Sequence, residues 1–262
     1  EIGVRLVGSE MCIRDSYKIV AKGSEKMAEL VIVRHGQSQA NRDNIFTGWT
    51  DVPLTPKGIE QGELVGKELL RLGIQFSDAY TSYMERAIMT TNIILEEINQ
   101  LYIPVHKTWR LNERHYGALS GRNKDEVKKE IGAEQLHKWR RGFKDLPPQL
   151  KERQHDRRYD RLGVKIPLSE SLEMTLQRLL PYWQDHIAPR LIDGHNQLIV
   201  AHGSSLRALI KYLDGISDDD IDKVEVPNGK PILYRFDDHL NVIKKTFITM
   251  DGEIDDNTRI SK

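Results

Sequence analysis

Cysteine is almost absent from this chain: one residue in 262, at Cys12. Its scarcity excludes a disulfide framework, and its position near the N-terminus leaves the rest of the sequence without a thiolate nucleophile or a Cys metal site. Long apolar runs are missing too. None approaches the roughly 20 residues that cross a bilayer, and the N-terminus lacks the continuous apolar stretch of a secretory signal. Nor does either sign of charge prevail, since 39 Lys and Arg balance 39 Asp and Glu. That balance removes the whole-molecule electrostatic argument for nucleic acid or a membrane surface as partner. The chain therefore reads as soluble and cytoplasmic, and its partner must be sought in local clusters.

Composition divides the chain unevenly. Residues 1–26 show no sustained period, and Val7 to Ser16 resembles translated sequencing-adapter read-through, so this leader is expected to be non-native, with Met27 as the start of the protein. Residues 27–250 form one expected catalytic domain, and 251–262 a short polar tail. Within the domain, the charged segment 144–168, with Pro147-Pro148 near its start, reads as a lid-like excursion.

Three strand-to-helix units organise the domain. Leu30-Val31-Ile32-Val33 is a short continuous apolar run of the kind buried in a parallel sheet, and it ends directly on Arg34-His35-Gly36. Thr55-Pro56 offers an N-cap and a first-turn proline for a helix reaching about Leu72. A second strand near Ala79-Tyr80 leads into Ser82-Tyr83-Met84-Glu85, whose Ser and Glu spacing predicts a capping box for a helix carrying Arg86 in its first turn. The third unit is Leu198-Ile199-Val200-Ala201, then His202-Gly203-Ser204-Ser205, then a helix with Leu206, Leu209, Ile210 and Leu213 on one face. Another helix opens at Asn123, and strands are expected over Pro231–Phe236 and Val242–Phe247. The alternation predicts an α/β fold, a three-layer sandwich whose mostly parallel central sheet is flanked by helices.

In such sheets ligands bind beyond the carboxyl ends of the strands, which is where His35, Arg86 and His202 fall. Arginine presents a planar fork that matches phosphate oxygens and stays charged at physiological pH, so two histidines among arginines point to a phosphoryl anion. Either His-Gly pair alone is better explained as packing; the set is not. A neutral His35 with one ring nitrogen free could attack phosphorus, while His202, Arg34 and Arg86 stabilise the charge of an in-line transition state, and no metal is required. Gly36 and Gly203 would let backbone N–H groups approach the anion. Glu113 is ambiguous on its own: a carboxyl among arginines is as readily an ion-pair partner of Arg110 or Arg114 as a proton carrier.

The string Leu30 to Ser38, with Arg34-His35-Gly36-Gln37-Ser38, resembles the signature of the histidine phosphatase superfamily. Phe46-Thr47-Gly48-Trp49, Leu111 to Gly117, Trp139-Arg140-Arg141-Gly142-Phe143 and Ala201 to Leu209 narrow the likeness to its cofactor-dependent phosphoglycerate mutases, over about Glu29 to Met250. The resemblance implies His35 as the phosphorylated nucleophile, Glu113 as proton donor and acceptor, and His202 as transition-state stabiliser. It implies Arg34, Ser38, Asn41 and Arg86 as holders of the transferring group, with Gly203 and Ser204 beside them. Thr47, Gly48, Tyr116, Lys124, Arg140 and Arg141 would grip the carboxylate and second phosphate of a small anionic substrate. It further implies 2,3-bisphosphoglycerate as primer, and no metal. Dimers are common among similar proteins, so a homodimer is an open expectation. The sequence departs from the usual pattern at Gln37, where Glu is common, at Ala40, where a large aromatic is common, and at Ser204, where Asn is common.

Overall fold

The computed structural model describes residues 28–249 and the two residues 254–255; the leader with Cys12, and the tail apart from that pair, lie outside the described residues. Strand β1 (Ala28–Arg34) is followed by the short helix α1 (Gln39–Arg42) and then α2 (Pro56–Arg71). Next come β2 (Asp78–Thr81), α3 (Glu85–Glu97) and β3 (Val105–Lys107). The helices α4 (Lys124–Ile131), α5 (Ala133–Arg141), α6 (Arg157–Asp160), α7 (Leu172–Tyr182) and α8 (Ala188–Ile192) precede β4 (Gln197–Ala201). The chain closes with α9 (Gly203–Asp214), β5 (Pro231–Phe236), β6 (Val242–Ile248) and β7 (Ile254–Asp255).

One sheet has the order β3-β2-β4-β1-β5-β6-β7. The strands β3, β2, β4 and β1 are parallel neighbours, whereas β5, β6 and β7 add on antiparallel. Because β1 is covered on both faces, its apolar run is continuous and its side chains alternate between two cores. Leu30 and Ile32 join Ile199, Leu206 and Leu209 on the side of α7, α8 and α9. Val31 and Val33 join Val65, Leu69, Ile94 and Leu95 on the side of α2 and α3. Each such side chain, buried in full, contributes about 1.5–3 kcal/mol. The result is the expected three-layer α/β sandwich.

Local signals explain the helix starts. Thr55 Oγ1 accepts the Gly58 N–H at 3.1 Å, with Pro56 in the first turn of α2. A Cβ on Gly36 would lie 2.0 Å from the Gly58 carbonyl oxygen, so the loop after β1 and the start of α2 touch backbone to backbone, a contact only glycine permits. Asn123 caps α4 by accepting from Asp125 and Glu126. The capping box expected at Ser82 and Glu85 does not form: the cap of α3 is Met84, which lacks a side-chain cap bond. Three residues separate β2 from α3, and in that turn Ser82 Oγ accepts the Met84 N–H at 3.0 Å and faces His202, the residue after β4.

Candidate active site

The register of β1 and β4 sets Arg34 opposite Ala201, so the next residues, His35 and His202, leave the sheet side by side. Their rings lie edge to face with centroids 4.9 Å apart. Both are buried. His35 Nδ1 is 2.7 Å from the Gly36 carbonyl oxygen, which can only accept. The proton of the neutral ring therefore sits on Nδ1 and leaves a lone pair on Nε2. Burial, reinforced by Arg86 and Arg34, holds the His35 pKa well below the usual imidazole range, so the ring is neutral at physiological pH. His202 is lowered in the same direction by burial, then by Arg86, His35 and Arg34.

Arg86 is buried and donates to Thr50 O at 3.0 Å and Gly48 O at 3.1 Å. Burial pushes its pKa down to about 10, leaving the guanidinium charged. Arg34 donates through Nη1 to Val226 O at 2.9 Å, while its buried Nε has no hydrogen-bond partner. Ser38 and Asn41 cap α1 reciprocally, Asn41 N–H to Ser38 Oγ and Ser38 N–H to Asn41 Oδ1. The Gly36 N–H is not available to an anion, because it donates to Thr90 Oγ1; in this respect the sequence expectation is corrected.

Above these groups opens a cavity of about 220 Å³ lined by Arg34, Asn41, Thr47, Glu113, Tyr116, Lys124, Arg140, Arg141, Gly203 and Ser204, with Arg207 alongside. His35, His202, Arg86, Ser38 and Gly48 are not among the lining residues, although His35 and His202 are the chain neighbours of Arg34 and Gly203, which are; the Gly48 carbonyl accepts from Arg86. Glu113 makes no ion pair with Arg110 or Arg114. Its Oε1 accepts the N–H of Arg114 at 2.8 Å and of Ser204 at 3.0 Å, the latter in the first turn of α9. Arg110 donates instead to Arg178 O, and Arg114 to Arg140 O, both at 2.8 Å. Arg207 also donates to Arg140 O and to Arg141 O, so two guanidinium groups cap the carboxyl end of α5 and turn its arginines toward the cavity. Burial lowers the Lys124 pKa. Burial works to raise that of Tyr116, but the Arg114 charge and the hydrogen bonds with Ser204 and Arg114 together outweigh it, and the net shift is downward.

Residues 30–249 match the profile of the histidine phosphatase superfamily (branch 1). The chain belongs to that family. A 2,3-bisphosphoglycerate-dependent phosphoglycerate mutase 2 of Lactobacillus johnsonii is 54% identical over 85% of this chain and 98% of its own length. A 2,3-bisphosphoglycerate-dependent phosphoglycerate mutase of Streptococcus pneumoniae is 49% identical over 85% of this chain and 99% of its own. Among solved structures, a phosphoglycerate mutase from Bacillus anthracis shares the fold with a TM-score of 0.63 at 24% identity, covering 87% of this chain and 95% of that one.

Several residues of the candidate site in this histidine phosphatase superfamily member escaped the sequence reading. Ser82 Oγ lies 2.8 Å from His202 Nε2; the Ser-Glu spacing that marked it pointed to a cap. Thr90 holds Gly36. Asn228 donates to His35 O at 2.7 Å and to Asn41 Oδ1 at 3.3 Å, from a Pro-Asn-Gly turn that composition marks only as a loop. At the departure from the family pattern, Ser204 Oγ sits 3.3 Å from Tyr116 Oη, so the hydroxyl still joins the cavity's polar network. Among the described residues no group of three or more His, Cys, Asp or Glu could hold a metal ion, and no helix is long and apolar enough to cross a membrane.

Proposed function

We propose that this chain interconverts 3-phosphoglycerate and 2-phosphoglycerate, in glycolysis and gluconeogenesis, through a phosphohistidine at His35. The observation that carries the reading is the Nε2 lone pair of a neutral, buried His35 next in the chain to Arg34, which lines a cavity with Lys124, Arg140 and Arg141. Mutase relatives at about half identity over nearly their whole length support it. When bound, 2,3-bisphosphoglycerate supplies the phosphoryl group that primes the histidine. Donors without protein partners fit such an anion, Arg34 Nε at the reacting end and the Arg140 guanidinium, among the described residues, at the other.

In this mechanism His35 takes the phosphoryl group on Nε2 while Arg34, Arg86, Ser38, Asn41 and the α9 terminus at Gly203 and Ser204 hold its oxygens. His202 stabilises the equatorial oxygens in the in-line transition state. Glu113 removes the proton of the attacking hydroxyl and returns it in the reverse step, its Oε1 fixed by two backbone N–H groups and Oε2 left for substrate. Thr47, Gly48, Tyr116, Lys124, Arg140 and Arg141 retain the far end of the substrate while the bisphosphorylated species turns over. Residues 144–168 act as the lid that keeps water from the phosphohistidine. A cytoplasmic location and a homodimeric assembly belong to the same reading.

The decisive experiment is intact-protein mass spectrometry after mixing with 2,3-bisphosphoglycerate. One acid-labile phosphate on His35, discharged by 3-phosphoglycerate with formation of 2-phosphoglycerate, is expected. Absence of label, or release of inorganic phosphate at least as fast as isomerised product, would overturn the mutase reading.

A further inference from the structure

The segment that carries Glu113 is irregular. Residues 109–115 comprise a short 3-10 turn, Trp109–Leu111, and irregular backbone, with no sheet ladder to fix them. A proton carrier on such a segment needs another source of rigidity, because a misplacement of about 1 Å at a reacting group costs on the order of 100-fold in rate. One side chain supplies it. Arg178, on α7, is buried, with only 8% of its side chain exposed. Its Nη2 donates to the carbonyl of Asn112 at 2.9 Å and of Glu113 itself at 3.0 Å. Its Nη1 donates to Arg110 O at 2.6 Å. The guanidinium also meets a buried carboxylate: Nε lies 2.7 Å from Glu170 Oε1, and Nη2, sharing its hydrogens among three acceptors, 3.1 Å from Glu170 Oε2. Glu170 Oε2 in turn accepts the N–H of His115 at 2.9 Å, and the Glu170 N–H donates to His115 O at 2.8 Å.

A buried ion pair is a poor device for stability alone, since desolvation of both partners offsets most of their attraction. What this pair does that an apolar pair could not is bind backbone on both sides of one residue. Arg178 holds the carbonyls of Arg110, Asn112 and Glu113, Glu170 holds the backbone of His115, and Glu113 lies within the stretch they span. A planar guanidinium fork spans three carbonyls and a carboxylate at once; an ammonium group at the end of a flexible stem does not. We propose that Arg178 and Glu170 are a positioning pair for Glu113, fixing the backbone from which its carboxyl reaches the Ser204 N–H and the cavity. The proposal rests on the proton-carrying role given to Glu113 above.

The test is a double-mutant cycle on turnover, with KM measured throughout. Arg178→Lys and Glu170→Gln are each expected to lower kcat by about 10- to 100-fold, the range for removing a group that orients a reacting residue, with KM changed less than about threefold. Placed in a Glu113→Gln background, the same substitutions should lower kcat by less than about threefold, because there is no longer a proton carrier to misplace. Equal losses in both backgrounds, or a rise in KM as large as the fall in kcat, would make the pair a structural strap and overturn the proposal. If Arg178→Lys does not fold, Glu170→Gln, which keeps an acceptor oxygen in place, completes the cycle. Full turnover in the Glu113→Gln single variant would defeat the role of Glu113 itself, an outcome separate from additivity in the cycle.

Discussion

The floor and the rim of the cavity are built differently. On the floor, His35, His202 and Arg86 are buried at the ends of adjacent strands or in the first turn of the helix that follows; one ring nitrogen of each histidine is held, His35 Nδ1 by a carbonyl and His202 Nε2 by the Ser82 hydroxyl, and Arg86 is held by two carbonyls. On the rim, Lys124, Arg140 and Arg141 come from α4 and α5, remain half-exposed, and reach into the cavity from outside the sheet. Arg141 already pairs with Glu225 at 2.6 Å, whereas Arg140 has no side-chain partner among the described residues. Under the proposed mechanism the floor meets charge that develops during reaction, and the rim holds charge present from start to finish. By that contrast, changes on the floor should appear in kcat and changes on the rim in KM.

The largest effect is expected from Glu113→Gln. The amide oxygen keeps both backbone hydrogen bonds that Oε1 accepts, so fold and anion binding should persist while kcat falls by roughly 10²- to 10⁴-fold, the usual worth of general acid–base catalysis. Steady-state kinetics that returned a raised KM at normal kcat would move Glu113 to the rim. Next in size, Arg140→Ala should raise KM by about 10- to 100-fold with a smaller loss of kcat, as expected for a charged hydrogen bond made equally to substrate and transition state. Because Arg140 is half-exposed, KM of the unmodified enzyme should also climb with ionic strength, and less so in the variant. Salt-insensitive KM values would erase the distinction drawn here.

The smallest effect concerns acid stability. Both floor histidines titrate well below about 6.5 when folded and near that value when unfolded. The unfolded chain therefore binds more protons between those values, and stability falls as pH drops below about 6.5 toward the folded values. Thermal unfolding should thus occur at lower temperature near pH 5 than near pH 7.5, by a smaller margin in His202→Gln. A margin unchanged by that substitution would place the acid sensitivity elsewhere.

The same contrast marks what was readable from sequence. The floor follows from two apolar runs that end on Arg34-His35 and on His202, and from a third strand whose following helix carries Arg86 in its first turn, because the carboxyl ends of parallel strands share one edge of the sheet. Its charges were therefore legible as a set before any coordinates. What supports them was not. Ser82 and His202 are 120 positions apart, Asn228 and His35 are 193 apart, and Glu113 and Arg178 are 65 apart. No periodicity links such pairs; only the packed fold brings them together. Local signals even misled at Ser82, where cap spacing competed with a tertiary hydrogen bond and the tertiary bond prevailed. Glu113 was readable as a carboxyl among arginines, but its freedom from them depends on Arg110 and Arg114 finding carbonyls elsewhere.

Arg34 and Arg86 hold only carbonyl oxygens, with no carboxylate at ion-pair distance among the described residues. Neighbouring positive charges kept apart from any anion oppose folding, and a tetrahedral dianion settling between them would relieve that opposition. Native-state occupancy would then rise with metabolite concentration, by RT ln(1 + [L]/Kd) for a ligand that binds only the folded chain. A cell rich in phosphoglycerates would hold this enzyme in a form more resistant to heat and proteases, and a starved cell would turn it over sooner.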